Sequence, residues 1–127
     1  MTLLSHSFKV RHLILAAALT TGPGFVNHAN AAQTPFLVDL NSRTAIDLGN
    51  LGGNWSEAYG INDAGQVVGF SSTADGNDHA FITGPDGVGM RDLGTLGGSL
   101  SNAWGINEAG QVVGGSSTAE GYYHAFI

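Results

Sequence analysis

Cysteine is absent from this sequence, and basic residues are scarce. Without cysteine the chain has no disulfide cross-links, so a folded form depends on side-chain packing, on sheet hydrogen bonds, or on a metal or partner. Four lysines and arginines face ten aspartates and glutamates, and the formal net charge of the 127 residues is −6. Because an acidic surface repels phosphate backbones and anionic lipid headgroups, nucleic acids and membrane surfaces are disfavoured as partners.

Long hydrophobic runs are absent as well. The apolar stretch Leu13–Leu19 is far shorter than the roughly 20 residues that a membrane-spanning helix needs. Lys9 and Arg11 precede it, and Ala29–Ala31 follows it with the small-x-small pattern of a signal peptidase site. The sequence therefore predicts a secretory signal peptide at residues 1–31, with an uncleaved membrane anchor as the alternative.

The main feature that is present is an internal repeat. The segment Asp47–Ile82 returns as Asp92–Ile127 after a shift of 45 residues, without insertion or deletion and with 26 of 36 positions identical. A fixed period of roughly 20–50 residues indicates a repeat architecture. Because Phe36–Val38 lies one period before Phe81–Thr83, we expect two tandem repeats after the signal peptide, at about 36–80 and 81–125, and the start of a third at 126–127.

Each unit contains four short segments with strand character, and no helical apolar period follows the signal peptide. The segments are Ala80–Thr83, Met90–Leu93, Ala103–Ile106 and Gln111–Gly114, with counterparts at Phe36–Asp39, Ala45–Leu48, Ala58–Ile61 and Gln66–Gly69. The turns between them are predicted at Gly84–Gly87, Asn62–Gly65 and Asn107–Gly110, longer links at Leu51–Gly53 and Leu96–Gly98, and polar loops at Ser71–Thr73 and Ser116–Thr118. The pattern predicts an all-β fold of antiparallel four-stranded units.

A unit of this size is typical of a propeller blade, and two units would make an incomplete propeller or a fragment. In the third strand, period-two alternation places Tyr59 and Ile61 on one face and the small residues Ala58 and Gly60 on the other. A strand with one small face lets another backbone approach closely. We therefore expect each sheet to be packed on both faces by similar sheets.

Three short sequence motifs resemble those of a known family. They are GINDAGQVVG at 60–69, STADGNDHAF at 72–81 and DLGTLGG at 92–98. The chain from about 36 to 127 resembles the bacterial extracellular repeat family named for its His-Ala-Phe motif, the HAF repeat, with His79–Phe81 and His124–Phe126 at the naming positions. The resemblance implies export to the periplasm or outside, a β-rich repeat fold and usually more copies than two. It implies no established activity and no catalytic residues.

The sequence departs from that family in one place and ends inside a motif. In the family an aromatic residue tends to follow the motif and the Leu or Ile after it, whereas here Thr83 follows Ile82, and the sequence ends at Ile127. A truncated member or a fragment of a longer reading frame is the corresponding expectation.

The motif histidines, His79 and His124, are the first candidates for chemistry. Either they converge as ligands, or each ties a loop to its strand by hydrogen bonds, and the structural role is favoured because buried polar groups are paired. The candidate partners of the histidines are Asp47, Ser56, Asp92 and Ser101. The structural repeat motif is expected to comprise His79, Phe81, His124, Phe126, Asp47 and Asp92.

Two other chemistries are weighed and disfavoured. Asp75–Asp78 suits a calcium loop, but the second unit has Glu120–Tyr123 there and lacks two of the oxygen donors, which leaves at most one weak site. Asp47 and Asp92 would be the carboxylates of a glycosidase only if they lay about 5–10 Å apart. No catalytic residue, metal or cofactor is therefore expected.

Exposed aromatic residues that differ between the units are the candidate ligand contacts. Trp55, Tyr122 and Tyr123 are expected in loops, where they would stack on a carbohydrate or contact a protein, and packing at the edge of the unit is the alternative. The positions that differ are Asn54, Trp55, Glu57, Phe70, Asn77 and Asp78 in the first unit and Ser99, Leu100, Asn102, Gly115, Tyr122 and Tyr123 in the second. We expect a secreted or periplasmic bacterial scaffold or binding module without enzymatic activity, and we expect the mature chain either to form homo-oligomers or to fold poorly. The alternatives are an exported hydrolase whose site needs a complete propeller, and a truncated product without function.

Overall fold

The computed structural model describes residues 12–16, as backbone only, and residues 32–127. These residues form an all-β fold of ten strands and one short 3₁₀ helix at Pro85–Gly87, so the predicted fold class is confirmed at this level. The strands are β1 His12–Ala16, β2 Pro35–Asp39, β3 Thr44–Asp47, β4 Gly52–Ile61, β5 Val67–Thr73, β6 Asp78–Thr83, β7 Met90–Gly94, β8 Gly97–Ile106, β9 Val112–Thr118 and β10 Tyr123–Phe126. The predicted signal peptide lies outside the described residues except for 12–16. No helix in the described part of the chain is long and apolar enough to cross a membrane.

Sequential strands are antiparallel neighbours except at two places, between β3 and β4 and between β7 and β8. The first sheet has the order β1-β2-β3, and the second contains two meanders, β4-β5-β6-β7 and β8-β9-β10. A single parallel pair, Asp78 with Leu100, joins β6 to β8, and the sheet is not closed. Connections between sequential antiparallel strands need only short turns, which fits the Gly- and Asn-rich links of the sequence.

The pairing of β4 with β5 and the pairing of β8 with β9 have the same register after a shift of 45 residues. Gly52 pairs with Thr73, Ser56 with Ser71 and Ile61 with Val67, and their counterparts in β8 and β9 pair in the same way. Both pairs also carry register shifts at equivalent places. Identical residues at these positions therefore build identical local structure.

Two hydrophobic clusters lie on opposite faces of the β4–β7 meander, and they too are related by the period. The first contains Leu37, Leu48, Val67 and Phe81, with Ile46, Leu51, Ala58, Ile61 and Met90 packed against it. The second contains Val68, Ala80, Ile82 and Ala103, with Ile106, Val112 and Phe126 packed against it. Five members of the first cluster have a counterpart 45 residues later in the second: Leu37, Ala58, Ile61, Val67 and Phe81. The meander is thus covered by β2 and β3 on one side and by β8–β10 on the other.

The structure corrects three local predictions. The Leu-Gly-Gly segments are not links, because Gly52 and Gly97 begin long strands. The polar segments Ser71–Thr73 and Ser116–Thr118 are not loops but the ends of β5 and β9. Both errors have one cause: Leu51 and Leu96 bond through their N–H groups to the Oγ atoms of buried serines in those strand ends, which extends each hairpin beyond its apolar part.

The third correction concerns the alternation in β4. The register shifts between Ala58 and Gly60, so Ala58 and Ile61 pack in the first cluster while Tyr59 is exposed on the other side. A bulge of this kind inserts one residue and reverses the alternation after it. The cross-strand residue Gly69 has no alternative here, because a Cβ atom would collide with the carbonyl oxygen of Glu57.

Candidate functional site

Buried serines fix the loop that precedes each long strand. Ser56 Oγ donates to the carbonyl of Gly49 over 2.8 Å, and Ser101 Oγ donates to the carbonyl of Gly94 over 2.6 Å. Both serines are buried. The repeated serines are therefore internal hydrogen-bonding groups of the fold, and no nucleophile is exposed at these positions.

The first motif histidine pairs with an aspartate of the following strand. His79 Nδ1 lies 2.8 Å from Asp92 Oδ2, and Asp92 Oδ1 accepts a hydrogen bond from the N–H of Gly94 over 2.6 Å. Asp92 is one of the four partners that the sequence suggests for the histidines. The contact joins two neighbouring strands, β6 and β7.

The second motif histidine has a different environment. The side chain of His124 is exposed and makes no hydrogen bond or ion pair within the described residues. In the same part of the chain, the side chain of Asp47 accepts a hydrogen bond from the N–H of Gly49 alone, over 2.9 Å. Phe81 is fully buried in the first cluster, and Phe126 packs partly exposed against the second. The contact between a motif histidine and an aspartate therefore occurs at His79 and not at His124 among the described residues.

The hairpin loops of the two units stack on each other. Within each loop an Asn side chain bonds to a Gln four residues later: Asn62 Nδ2 to Gln66 Oε1 and Asn107 Nδ2 to Gln111 Oε1, both 2.8 Å. Asn62 Nδ2 also donates to the carbonyl of Asn107 over 3.2 Å. These repeated polar residues thus position one unit against the next.

Side chains at the acidic turn Asp75–Asp78 take part in local hydrogen bonds. Asp78 Oδ1 accepts a hydrogen bond from Ser72 Oγ over 2.7 Å, and Thr73 Oγ1 accepts from the N–H of Asn77. No group of three or more histidines, aspartates or glutamates that could hold a metal occurs among residues 32–127.

The best-defined functional candidate is an aromatic cluster around Glu57. Glu57 Oε1 accepts a hydrogen bond from Trp55 Nε1 over 3.1 Å, and Oε2 accepts one from Tyr59 OH over 2.8 Å. Phe70 lies directly opposite Glu57 in the β4–β5 pairing, and its ring centroid is 5.9 Å from that of Tyr59. We call these four residues the Glu57 cluster. Trp55 is 45% exposed and Tyr59 is 46% exposed, so the cluster forms part of the surface.

The phenol of Tyr59 stays protonated well beyond neutral pH. Burial of the ring, the hydrogen bond to Glu57 and the negative charge of that carboxylate raise the pKa of Tyr59 to about 12. All three effects disfavour the phenolate. Tyr59 therefore acts as a hydrogen-bond donor to Glu57 and not as a base or nucleophile.

The second unit carries a different arrangement at the equivalent positions. Leu100, Asn102, Trp104 and Gly115 replace the four residues of the Glu57 cluster. Trp104 packs on Tyr123 with ring centroids 6.5 Å apart, and Asn102 Nδ2 donates to Tyr123 OH over 3.3 Å. The second unit is therefore aromatic but carries no carboxylate at this place.

Two of the three candidate ligand contacts lie in strands, although the sequence predicts all three in loops. Trp55 lies within β4 and Tyr123 within β10, whereas the sequence predicts both in loops; Tyr122 lies in the turn before β10. All three are exposed, Tyr122 by 67%. Comparison of the two units pointed to Trp55, Glu57 and Phe70, but sequence alternation assigned Tyr59 to a packed face. The spacing Trp-x-Glu-x-Tyr on one exposed strand face is the signal that identifies the whole cluster.

The outer face of the second unit is apolar and uncovered. Val68, Ala80 and Ile82 are buried by β8–β10, with relative exposures of 0, 0 and 6%. Their counterparts, Val113, Ala125 and Ile127, are exposed, Val113 by 44%. Beside them an apolar cleft of about 310 Å³ is lined by Leu93, Leu96, Val112 and Phe126 among others.

No family model, curated protein or solved structure matches the chain.

Proposed function

We propose that this protein is an exported, non-enzymatic β-repeat protein that acts as a scaffold and binding module. The observation that carries the proposal is the Glu57 cluster, in which Trp55, Tyr59 and Phe70 form an exposed aromatic surface on a rigid strand pair. Exposed aromatic side chains combine an apolar face with a polar edge and favour ligand contact. Three of the four cluster positions contain a chemically different residue in the second unit, whereas the residues that build the strands and loops are repeated. Variation on a constant frame is expected of a binding surface.

The frame itself is proposed to be a stack of propeller-like blades. Two observations support it: the period-related registers of the long hairpins and the period-related hydrophobic clusters on the two sides of β4–β7. In such a stack each sheet uses one face against the unit before it and the other face against the unit after it. This arrangement matches the small residues Ala58 and Ala103, which lie in the two clusters.

The same arrangement supports association with a second copy of this chain. The outer face of β8–β10 carries Asn102, Trp104, Val113, Gly115, Tyr123 and Ala125, none of them charged. Two of its counterparts in the first unit, Val68 and Ala80, are covered by β8–β10, whereas Glu57, Tyr59 and Phe70 remain at the surface. Burial of exposed apolar area is favourable, by about 25 cal/mol per Å². A sheet of a second copy has the matching chemistry, and the lack of charge on this face removes the repulsion that the acidic remainder of the chain imposes.

Export is proposed from the sequence at residues 1–31, which has the basic, apolar and small-residue parts of a secretory signal. After its removal only Arg43 and Arg91 face the ten acidic residues. The absence of cysteine fits a chain whose stability outside the cell comes from packing and sheet hydrogen bonds.

The proposal is tested by binding to the chain starting at Ala32. Soluble polysaccharides and secreted proteins are titrated, and binding is followed by isothermal titration calorimetry, a readout that does not depend on the fluorescence of Trp55. A saturable change that Trp55→Leu abolishes and Leu100→Ala preserves supports the binding function; Leu100 is the matched control because it is the equivalent position of the second unit. Hydrolysis of a glycoside or ester that Asp92→Asn abolishes would show instead that the protein is an enzyme.

A further inference from the structure

We infer that the Glu57 cluster binds an organic cation, namely a quaternary or primary ammonium or a guanidinium group. The inference rests on the proposed binding function and names the class of ligand. It depends on three properties of the cluster. The carboxylate of Glu57 has no basic partner in the described part of the chain, aromatic rings surround it, and the hydrogen-bond donors of Trp55 and Tyr59 are already bonded to it.

The carboxylate of Glu57 is held in place without being neutralised. Both of its oxygens accept hydrogen bonds, from Trp55 Nε1 and Tyr59 OH, so its position is fixed. Among the described residues the ion pair within 4.0 Å is that of His79 with Asp92, and no basic side chain pairs with Glu57. A half-buried negative charge therefore remains available to a ligand of opposite charge.

The aromatic rings add negative potential at the same place. The face of an aromatic ring attracts a cation within about 6 Å of its centroid, Trp most strongly. Trp55 and Tyr59 flank Glu57 on β4, and Phe70 lies opposite on β5. The ring faces and the carboxylate thus both attract a positively charged ligand.

The hydrogen-bonding state of the cluster argues against a neutral sugar and against an anion. A site for a sugar hydroxyl offers hydrogen-bond donors as well as acceptors. The cluster has two side-chain donors, the indole N–H of Trp55 and the phenol O–H of Tyr59, and both already donate to Glu57. Because the pKa of Tyr59 is raised, the phenol keeps this donor role over the whole physiological range. What remains toward solvent is acceptor atoms and ring faces, which suits a cation.

The second unit indicates that this chemistry is not a packing requirement of the repeat. Asn102 takes the place of Glu57, and Leu100 and Gly115 take the places of Trp55 and Phe70. The strand pairing is nevertheless the same in both units. The fold therefore tolerates a neutral residue at this position, and variants of Glu57 are expected to fold.

The test follows the indole N–H resonance of Trp55, which bonds directly to Glu57, during titration of the ¹⁵N-labelled chain. Choline is compared with 3,3-dimethyl-1-butanol, which has the same shape without the charge. Choline is expected to shift the resonance saturably, and its neutral analogue is expected not to. Titrations with Nα-acetyl-lysine amide and Nα-acetyl-arginine amide distinguish the two sources of such a cation: tighter binding of choline indicates a free small molecule, and tighter binding of the amides indicates basic side chains of a partner.

Glu57→Gln is expected to weaken choline binding about fivefold or more, because one charge contact is lost. Glu120→Gln, which removes an exposed carboxylate in the turn before β10, is the control with the same charge change and is expected to bind as the unmodified chain. Phe70→Gly, which introduces the residue type of the equivalent position in the second unit, keeps the Trp55 reporter and is a second variant expected to weaken choline binding. Equal shifts with choline and its neutral analogue, or undiminished binding by Glu57→Gln, would overturn the inference. If glucose oligomers shift Trp55 while cations do not, the ligand class is wrong and the binding function stands; a resonance that no ligand moves overturns both.

Discussion

Ser101 Oγ lies 2.8 Å from the backbone nitrogen of Ala80 and accepts its hydrogen bond. The serine belongs to the second unit and the alanine to the first, and both are fully buried. A single hydroxyl thus satisfies the backbone of the neighbouring unit while donating to the carbonyl of Gly94. The repeated serine of the sequence is therefore a contact between units as well as a support for its own loop.

Replacement of this serine should cost more than replacement of its counterpart. Ser101→Ala leaves the buried N–H of Ala80 without an acceptor, which costs about 1–3 kcal/mol. Pro35 stands one period before Ala80, and proline has no N–H group that Ser56 could accept. We expect the free energy of unfolding, measured by urea titration and circular dichroism, to fall by about 1–2 kcal/mol more for Ser101→Ala than for Ser56→Ala. Equal losses in the two variants would show that the contact between units contributes nothing.

The pair of His79 and Asp92 should make a small contribution to stability. Their side chains are 19% and 42% exposed, so solvent screens the interaction. His79→Ala is expected to lower the free energy of unfolding by up to about 1 kcal/mol. His124→Ala is the matched control, since His124 has no partner in the described residues, and it should leave stability unchanged. A larger loss for His124→Ala than for His79→Ala would contradict the assignment.

The alkaline titration of Tyr59 provides a third prediction. Because its pKa is about 12 in the folded chain and about 10 in an unfolded one, the unfolded state loses the proton first as pH rises. The stability contributed by the protonated phenol is therefore complete below about pH 10 and is lost as pH rises through about 12. Tyrosine absorbance near 295 nm should show a late transition that Tyr59→Phe removes.

Glu57→Gln should move that transition to lower pH, since it removes the hydrogen bond and the charge that help to raise the pKa of Tyr59. The shift should stop short of the ordinary value because burial, the largest cause, remains. An unchanged late transition in Glu57→Gln would mean that the two side chains do not interact in solution.

Self-association through the outer face of the second unit gives the fourth prediction. The chain starting at Ala32 is expected to form a discrete β-rich oligomer, with molar mass determined by size-exclusion chromatography and light scattering. Val113→Lys places a charge on the exposed apolar face and should reduce the mass to that of one chain. Val88→Lys makes the same charge change at a residue that is 65% exposed elsewhere and should leave the oligomer intact. A monomer of the unmodified chain would overturn the proposed association.

The period of the sequence determines much of the fold. Because Asp47–Ile82 and Asp92–Ile127 share most residues, the strands, turns and hairpin registers repeat at the same interval, and the all-β class follows from short apolar segments between Gly- and Asn-rich turns. The differences between the units, also visible in the sequence, indicate that the fold does not require a particular side chain at Trp55, Glu57 and Phe70.

The tertiary structure decided what strict alternation does not determine. Alternation keeps Tyr59 on the outer face with Trp55 and Glu57, whereas the bulge after Ala58 brings Ile61 into the core beside Ala58, because one inserted residue reverses the faces that follow it. Ser71 and Ser116 lie buried in strands although a serine-rich segment favours turns, because a backbone N–H across the hairpin needs their Oγ atoms. The sequence alone therefore determined the repeating frame and the variable positions. Pairing of the strands decided which side chains became buried supports and which joined Glu57 at the surface.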